Sequence, residues 1–425
     1  MTVAIETAIR EHLAERRDEQ TRFLADLVRV PSDNPPGDCR PHGARAAALL
    51  EALGFAVERV EVPADLVNAN GMISAINLIV RERFGEGPVI ALNAHGDVVP
   101  PGLGWTADPY GAEIRGGFMF GRGVAVSKSD FATYGFALLA LKHAASLGAK
   151  LNGAVELHLT YDEEAGGLIG PGYILEQGLS KPDFAISAGF SYDIITAHNG
   201  CLHLEVQVTG KSAHAAMPET GVDALEAATG ILAALYKMRH RLRERVSPVP
   251  GVGAPGLTVG LISGGINTNV VPDKVTFRID RRITPEENPE AAETELRALI
   301  EMAAAAFPGI SIAMRRILLA APFVPMPGQD RLAAAIQARA SQVFGVSVGT
   351  KGVPIYTDAR LYSAMRIPTV LYGAGPRTLL EANGHRADEK LKLDDLYKAT
   401  EAVALSVFDL LSGRGAAPAM SWRSP

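Results

Sequence analysis

Ala91-Leu-Asn-Ala-His-Gly-Asp-Val-Val-Pro100 is the stretch from which the fold of this 425-residue chain is best argued. The apolar run 89–94 predicts a buried strand, and that strand ends in His95-Gly-Asp97. Open α/β sheets bind ligands at this edge, and an imidazole oriented by a carboxylate is a common ligand of divalent metals. For these three residues alone, a histidine in a turn beside an unrelated aspartate is the simpler interpretation. The downstream motifs reverse that preference.

The composition indicates a globular protein of more than one domain. A chain of 425 residues exceeds one ordinary core, and the hydrophobic and charged contents are 47% and 21%. The net charge of −6 comes without a basic cluster, so we expect no nucleic acid and no membrane as partners. Cys39 and Cys201 lie outside any CxxC, and no signal peptide or membrane-length apolar run is present. These features predict a cytoplasmic protein.

Strands and helices alternate through the first half of the chain. Helices are predicted at 2–29, 42–53 and 130–147, the last with Asp130 as its N-cap. Strands are predicted at 55–62, 77–83, 89–94 and 153–161. This order is typical of an α/β domain, a mainly parallel sheet covered by helices on both faces.

The pattern changes near residue 198. Strands at 201–209, 257–262 and 274–281 alternate with helices at 221–241 and 289–305, and a strand near 311–316 follows. This pattern predicts an inserted α+β domain with an antiparallel sheet. The tail returns to α/β, with a helix from 330, strands at 354–356 and 369–373, and a helix at 393–411. The predicted domains are therefore a catalytic domain in two parts, 1–197 and 317–425, interrupted by an insert at 198–316.

Three adjacent acids, Asp162-Glu-Glu164, close the strand at 153–161. Adjacent carboxylates repel each other, so a cation or a shared proton is a simple reason to cluster them at a ligand-binding edge. Hydrolysis assisted by a metal needs one carboxylate to bind the ion and another to take a proton from water. A solvated acidic turn is an equally good interpretation of the triplet alone.

Further candidate residues lie in the insert and the tail. His214 sits in a loop bounded by glycine and proline, while Asn269 and Arg282 are groups that can hold a substrate carboxylate. His385 is a second histidine of the metal-binding type. Taken singly, these are an ordinary loop histidine, a strand-end asparagine and a surface arginine.

These segments, in this order, resemble one family of metal-dependent amidohydrolases. It includes aminoacylase, acetylornithine deacetylase, succinyl-diaminopimelate desuccinylase and bacterial glutamate carboxypeptidase. Each motif alone is weakly specific, but together they span nearly the whole chain. The matching segments are His95-x-Asp97, Trp105, Asp108-Pro109, Gly121-Arg-Gly123, Glu163-Glu164, the His214 loop, Asn269-x-x-Pro272, Asp280-x-Arg282, Thr357-Asp358 and His385.

The resemblance implies a zinc-peptidase-like α/β domain that binds two zinc ions, with an inserted lid that often dimerises. The metal ligands it implies are His95, Glu164 and His385. The catalytic residues it implies are Glu163 as general base, Asp97 as the partner that orients His95, and His214 as the group that stabilises the oxyanion. The substrate-binding residues it implies are Asn269 and Arg282.

The chain departs from the family at two metal-binding positions. The family places a metal-bridging aspartate where this chain has Val126, and another acid where it has residues 188–190, within an acid-free stretch from Phe184 to Tyr192. The loss of two carboxylates removes two negative charges, which balances the loss of the two positive charges of one divalent cation. We therefore expect one ion of Mn, Zn or Co per chain and doubt a second. Asp130 or Asp193 as a displaced ligand remains an alternative.

The expected function is hydrolysis of a C–N bond in a small carboxylate-bearing molecule by water that a metal activates. Val126 and Gly189 offer apolar surface and space for an aromatic ring. In this the chain is similar to an aminohydrolase of the same family that converts 5-nitroanthranilate to 5-nitrosalicylate and ammonia. An N-acyl amino acid amidohydrolase fits equally well, and a non-catalytic ligand-binding relative is the third alternative. We expect a homodimer or larger homo-oligomer, with His214 acting in its own subunit or in its partner.

Overall fold

The computed structural model describes residues 2–413. The helices are α1 (Thr2–Glu15), α2 (Arg17–Val28), α3 (Arg40–Ala52), α4 (Ala64–Ala69), α5 (Lys128–Ser146), α6 (Pro171–Glu176), α7 (Ala224–Leu242), α8 (Pro289–Ala304), α9 (Gln329–Phe344), α10 (Ala359–Ala364) and α11 (Leu393–Leu411). The strands are β1 (Val57–Glu61), β2 (Ile76–Arg83), β3 (Val89–His95), β4 (Glu113–Arg115), β5 (Phe118–Phe120), β6 (Ala154–Thr160), β7 (Phe184–Ser187), β8 (Asp193–His198), β9 (Gly200–Thr209), β10 (Leu257–Gly264), β11 (Lys274–Ile283), β12 (Ser311–Ala320), β13 (Gly349–Val353), β14 (Thr369–Leu371) and β15 (Lys390–Lys392).

The chain forms two compact units. Among the described residues, unit 1 consists of 2–196, Pro325–Thr350 and 357–413, and unit 2 of Ala197–Val324 and Lys351–Tyr356. Unit 2 thus continues past the predicted end of the insert at residue 316. The reason is that β12 runs on to Ala320, after which Phe323 still bridges to His198.

An eight-stranded sheet lies at the centre of unit 1, in the order β1-β2-β6-β3-β7-β14-β8-β13. Its central strands β6, β3, β7 and β14 are parallel to one another, and antiparallel pairs flank them. The prediction of an α/β fold with a mainly parallel central sheet is confirmed. The antiparallel pairing of β1 and β2 with this core was not predicted.

The sequence of β3 is apolar throughout because helices cover both faces of the sheet. Successive side chains of a strand point to opposite faces. Leu92 accordingly belongs to the large core that contains Phe131 of α5, whereas Ala91 packs with Leu175 of α6 and Tyr362 of α10. His95 is the last residue of β3, so its side chain stands at the carboxyl edge of the parallel strands.

Unit 2 is built on the antiparallel sheet β10-β11-β9-β12, with α7 and α8 packed on one face. Glu205 lies between Leu204 and Val206 in β9, and its carboxylate forms ion pairs with Arg278 and Arg315. This alternation is the period-two pattern from which the antiparallel sheet was predicted. The fully buried residues of β9 that face the helices are Leu202, Leu204, Val206 and Val208.

Two predictions of local structure are wrong. Helix α5 begins at Lys128 with Ser127 at the N-cap position, so Asp130 lies in the first turn, where its carboxylate accepts amides from other segments. Residues 354–356 form no strand, and β13 ends at Val353. Pro354 follows it and lacks the amide hydrogen that a strand ladder needs.

Two findings bear on the predicted surroundings of the protein. Within residues 2–413, no helix is both long enough and apolar enough to cross a membrane. Cys39 and Cys201 are buried and are not joined in a disulfide. The cytoplasmic location stays a prediction.

Candidate functional site

The fully buried carboxylate of Asp97 organises the end of β3. It accepts hydrogen bonds from the backbone amides of Glu163 (3.3 Å) and Glu164 (3.1 Å), and from the side-chain amide of Asn34 (3.0 Å). Burial by itself would raise the pKa of Asp97, but the bonds from His95, Asn34 and the Glu164 amide hold that pKa below its usual value. Asp97 therefore joins the turn after β3 to the turn after β6 as a buried anion.

The imidazole of His95 is oriented through its Nδ1 atom. Nδ1 lies 3.0 Å from the backbone carbonyl oxygen of Asp97 and 3.4 Å from its carboxylate Oδ1. Both neighbours accept hydrogen bonds, so a proton on Nδ1 leaves the Nε2 lone pair for a cation. Gly96 permits this turn, because a Cβ at that position would lie 2.5 Å from the ring of Tyr161.

Glu163 and Glu164 begin a short 3-10 turn, Glu163–Ala165, directly after β6. Nε2 of His95 lies 3.8 Å from Oε2 of Glu163, and one ligand atom from each of His95, Glu163 and Glu164 lies within 4.8 Å of the other two. Burial raises the pKa of Glu163 well above its usual range, against the attraction of His95 and with the repulsion of Glu164. A divalent cation would relieve this crowding, and an imidazole with carboxylates is a donor set that suits Zn and Mn.

His385 reaches the same cluster from a loop near the end of the chain. Its Nε2 lies 3.5 Å from Oε1 of Glu164, and the hydrogen bond to that carboxylate raises the pKa of His385. The His385 side chain remains 54% exposed, whereas that of Glu164 is 10% exposed. The structure thus brings His95, Glu163 and Glu164 together and places His385 against Glu164, although His385 is not part of the group whose ligand atoms all lie within 4.8 Å of one another.

Asp162 has a different task from the two glutamates that follow it. Its Oδ2 accepts the amide of Ile169 at 2.6 Å, which closes the loop that carries Glu163 and Glu164. Burial, followed by the repulsion of Asp358, raises the pKa of Asp162 well above its usual value. Only two acids of the predicted triplet therefore belong to the candidate metal site.

The positions of the two missing family acids are filled by packing. A Cβ at Gly189 would lie 2.7 Å from the backbone nitrogen of Tyr372, so no larger side chain fits there without a shift of the backbone. Val126 is partly buried against the main core of unit 1. Space for a substrate ring beside Gly189, which is itself only partly buried, stays a prediction.

Asp130 is engaged by backbone amides. Its carboxylate accepts from Ala374 at 2.7 Å and from Gly189 at 3.2 Å, and burial raises its pKa to about 7. Among residues 2–413, the group able to hold a metal consists of His95, Glu163 and Glu164 and includes neither Asp130 nor Asp193. Because two backbone amides already occupy its carboxylate, Asp130 is a poor replacement ligand, whereas Asp193 as a ligand stays a prediction.

His214 and Asn269 are neighbours within unit 2. His214 forms a bridge with Val270, and the amide of Ala215 donates to the carbonyl oxygen of Asn269 at 3.0 Å. Both side chains belong to exposed residues. The two residues predicted from separate motifs therefore present one exposed polar surface.

Arg282 lies near the other end of the same sheet. Its Nε and Nη2 each donate to the carboxylate of Asp280 at 3.0 Å. Strand β11 starts at Lys274, just after the turn that carries Asn269, and Arg282 is its penultimate residue. The eight residue steps from Lys274 to Arg282, at 3.3 Å each, span about 26 Å. Within one chain, Arg282 and the turn that carries Asn269 therefore lie toward opposite ends of β11.

The site is supported by a buried ion pair that the sequence did not reveal. Nη1 of Arg122 donates to Oε2 of Glu389 at 2.7 Å, and the amide of Ala125 donates to the other carboxylate oxygen at 3.0 Å. Both side chains of the pair are 1% exposed. Arg122 was noted as part of a motif, but nothing local to it indicates a partner 267 residues away. Asn34 was missed for the same reason, since the loop 32–37 carries only turn signals.

Comparison with known proteins identifies the family of the chain. The sequence profile described as peptidase family M20/M25/M40 matches residues 91–409. A succinyl-diaminopimelate desuccinylase of Gluconacetobacter diazotrophicus is 29% identical over 390 residues, which are 89% of this chain and 94% of that protein. An acetylornithine deacetylase of Proteus mirabilis is 29% identical over 77% of this chain and 80% of its own length. Human carnosine dipeptidase 1 shares the fold, with a TM-score of 0.78 at 17% identity, over 96% of this chain and 99% of that one.

Replacing Arg122 by alanine is expected to lower the free energy of unfolding by about 3–5 kcal/mol, because it leaves the buried Glu389 carboxylate without its counter-charge. Urea denaturation followed by circular dichroism measures this loss. The matched control is Arg40→Ala, which removes the exposed Arg40–Glu61 pair and should cost about 0–1 kcal/mol. Equal losses in the two variants would show that the buried pair has no special role.

Proposed function

The chain belongs to peptidase family M20/M25/M40 and is a metal-dependent hydrolase of amide-type bonds, and from this premise we propose that it is a deacylase of N-acyl amino acids. The observation that carries the proposal is the convergence of His95, Glu163 and Glu164, with His95 oriented by Asp97. Relatives named desuccinylase and deacetylase match most of their own length to this chain and support the substrate class.

The residues at the end of β3 would hold one divalent cation. His95 offers Nε2, Glu164 a carboxylate oxygen and His385 a second imidazole, while Asp97 keeps the proton of His95 on Nδ1. A bound cation would make water acidic enough to attack at neutral pH and would polarise the scissile carbonyl. Mn, Zn and Co all accept this donor set.

Glu163 would act as the general base. It would accept a proton as water attacks the amide carbon and pass that proton to the departing amine, so that the products are a carboxylate and an amino acid. Its raised pKa, which follows from burial and from the charge of Glu164, suits a group that must both take and return a proton.

A single cation agrees with the packing around Val126 and Gly189. Neither residue can bind a metal, and the carboxylate of Asp130 already accepts two backbone amides. The absence of two carboxylates balances the absence of one divalent ion in charge. We therefore propose a mononuclear site.

The preference for a deacylase over an aromatic aminohydrolase rests on the relatives named desuccinylase and deacetylase. The contact of Gly189 with the backbone before Tyr372 excludes a larger side chain at that position. A substrate with an acyl group on an amino acid needs no pocket there. Its free carboxylate would be bound by Arg282 or Asn269.

A homodimer would explain the separation of the two substrate-binding surfaces in unit 2. His214 and Asn269 lie at one end of the sheet and Arg282 at the other, so one copy of unit 2 would supply only one of the two surfaces to a given substrate. We propose that His214 stabilises the oxyanion in the site of the partner subunit. The edge strand β10 and the following turn expose Leu261, Ile262 and Ile266, which suit an interface between two copies.

Glu163→Gln should lower kcat by about two to four orders of magnitude, because amide nitrogen cannot take the proton, while the affinity for the ion and for substrate persists. The assay follows amine release from N-acetyl and N-succinyl amino acids, and 5-nitroanthranilate is tested in parallel as the aromatic substrate. Glu61→Gln, a change in an exposed acid, is the control. Full activity in Glu163→Gln would contradict the mechanism, and turnover confined to nitroanthranilate would contradict the substrate class.

Metal analysis of the active protein should find one tightly bound divalent ion per chain. His95→Ala should abolish that binding, and Asp130→Asn should leave it unchanged because Asp130 is bonded to backbone amides. The measurement is elemental analysis after dialysis, with titration calorimetry for the affinity. Two tightly bound ions per chain would refute the mononuclear site, and a loss of the ion in Asp130→Asn would make that residue a ligand.

A mixed dimer of Glu163→Gln and His214→Ala subunits should regain activity, although each parent dimer is inactive. If His214 acts in the partner's site, one of the two sites contains both groups, so about half of the wild-type activity returns. Co-expression with two affinity tags isolates the mixed dimer. An inactive mixed dimer would mean that His214 acts within its own subunit.

A further inference from the structure

The loop that carries His385 holds three residues in an unusual backbone conformation. Asn383, His385 and Asp388 have φ angles of 54°, 61° and 55°, in the left-handed region that side chains other than glycine rarely adopt. Such residues persist only where the surrounding structure determines them. Since over half of the His385 side chain is exposed, packing around the imidazole cannot supply that constraint.

The carboxylate of Asp388 supplies three of the bonds that determine the loop. Its Oδ1 accepts the backbone amides of Thr106 at 2.9 Å and Ala107 at 3.1 Å, and its Oδ2 accepts the hydroxyl of Thr106 at 2.8 Å. The two amide bonds are the main cause of a lowered pKa for Asp388. Asp388 also receives, at its carbonyl oxygen, the side-chain amide of Asn383 at 3.2 Å. The carboxylate therefore fixes the loop to residues 106–107 from the position three residues after His385.

The opposite side of Asp388 is already rigid. Lys390 pairs with Phe120 at the start of β15, and the amide of Gly121 donates to the carbonyl oxygen of Glu389 at 2.9 Å. The buried Arg122 binds the Glu389 carboxylate. The chain that follows Asp388 is thus anchored by the sheet and the ion pair. The chain that precedes it is held at Ala382, whose carbonyl oxygen accepts the amide of Lys390 at 2.9 Å, and at Arg386, whose carbonyl oxygen accepts Nη2 of Arg122 at 3.3 Å. The Asp388 carboxylate adds the attachment of this segment to residues 106–107.

We propose that Asp388 is a positioning residue that aims the His385 imidazole at the metal site, an inference that rests on the proposed function. Asp388 touches neither the ion nor substrate. Its carboxylate holds the backbone of the 383–388 loop, and that backbone places Nε2 of His385 next to Glu164. Without those bonds, the loop would lose its attachment to residues 106–107, and the His385 imidazole would be held less firmly beside Glu164.

Three substitutions separate the carboxylate from the backbone conformation. Asp388→Ala removes the acceptors and disfavours a positive φ. Asp388→Gly removes the acceptors but tolerates that φ. Asp388→Asn keeps a side-chain oxygen for the Thr106 and Ala107 amides and tolerates the left-handed region. Asp183→Ala is the matched control, since it removes another exposed aspartate that accepts a backbone amide, at 2.8 Å from Val89 at the far end of β3.

The measurement is the affinity for Zn²⁺ by chelator competition and the visible spectrum with Co²⁺ in the same proteins. Asp388→Ala and Asp388→Gly should bind about ten- to a hundredfold more weakly and show an altered Co²⁺ spectrum, as is found when a group that orients a metal ligand is lost. Asp388→Asn should restore both, and Asp183→Ala should change neither. Thermal unfolding in parallel shows whether each variant is folded.

Adding His385→Ala decides whether Asp388 acts through His385. If it does, Asp388→Ala has no further effect in the His385→Ala background. A further loss there, or an unchanged affinity in Asp388→Ala and Asp388→Gly while His385→Ala binds weakly, would overturn this proposal alone. An unchanged affinity in His385→Ala would remove His385 from the proposed ligand set and overturn both the ligand set and the positioning role.

Discussion

The buried carboxylate of Asp97 is the constraint on which the site depends. A fully buried anion must be compensated, and here the compensation comes from two segments, since the amides of Glu163 and Glu164 and the side chain of Asn34 all donate to it. The same residue accepts from Nδ1 of His95 through its carbonyl oxygen. One residue thereby sets both the tautomer of the His95 imidazole, chiefly through its carbonyl oxygen, and the position of the two glutamates, through its carboxylate.

Where the family resemblance implies a second ion, this chain has packed protein. Gly189 lies against the backbone before Tyr372, and Asp130 fills the space over Gly373, where a Cβ would lie 2.1 Å from its Oδ1. Two amides donate to the Asp130 carboxylate, although burial still raises its pKa to about 7. The physical consequence is a site with donors on one side of the cation position and close-packed backbone on the other.

Much of this structure follows from local patterns in the sequence. The apolar run of β3, the alternation in β9 and the helix at Leu393–Leu411 were predicted because burial on both faces, burial on one face and helical periodicity each leave a distinct pattern. Candidate ligands could be found because they follow strands. What the sequence did not reveal is tertiary: Asn34 reaching Asp97, Arg122 reaching Glu389, and Asp162 closing its own loop instead of joining the metal site. Asp130 was assigned to an N-cap on local grounds, and distant amides at Gly189 and Ala374 determined its role instead.

We propose that one cation binds at the end of β3 between His95, Glu164 and His385. Anomalous X-ray diffraction at the absorption edge of the bound metal, on crystals of the loaded protein, locates every such ion directly. We expect one peak per chain, about 2.0–2.2 Å from Nε2 of His95, from an oxygen of Glu164 and from a nitrogen of His385. A second peak beside Val126 or Asp130, or a single peak out of reach of His95, would contradict it.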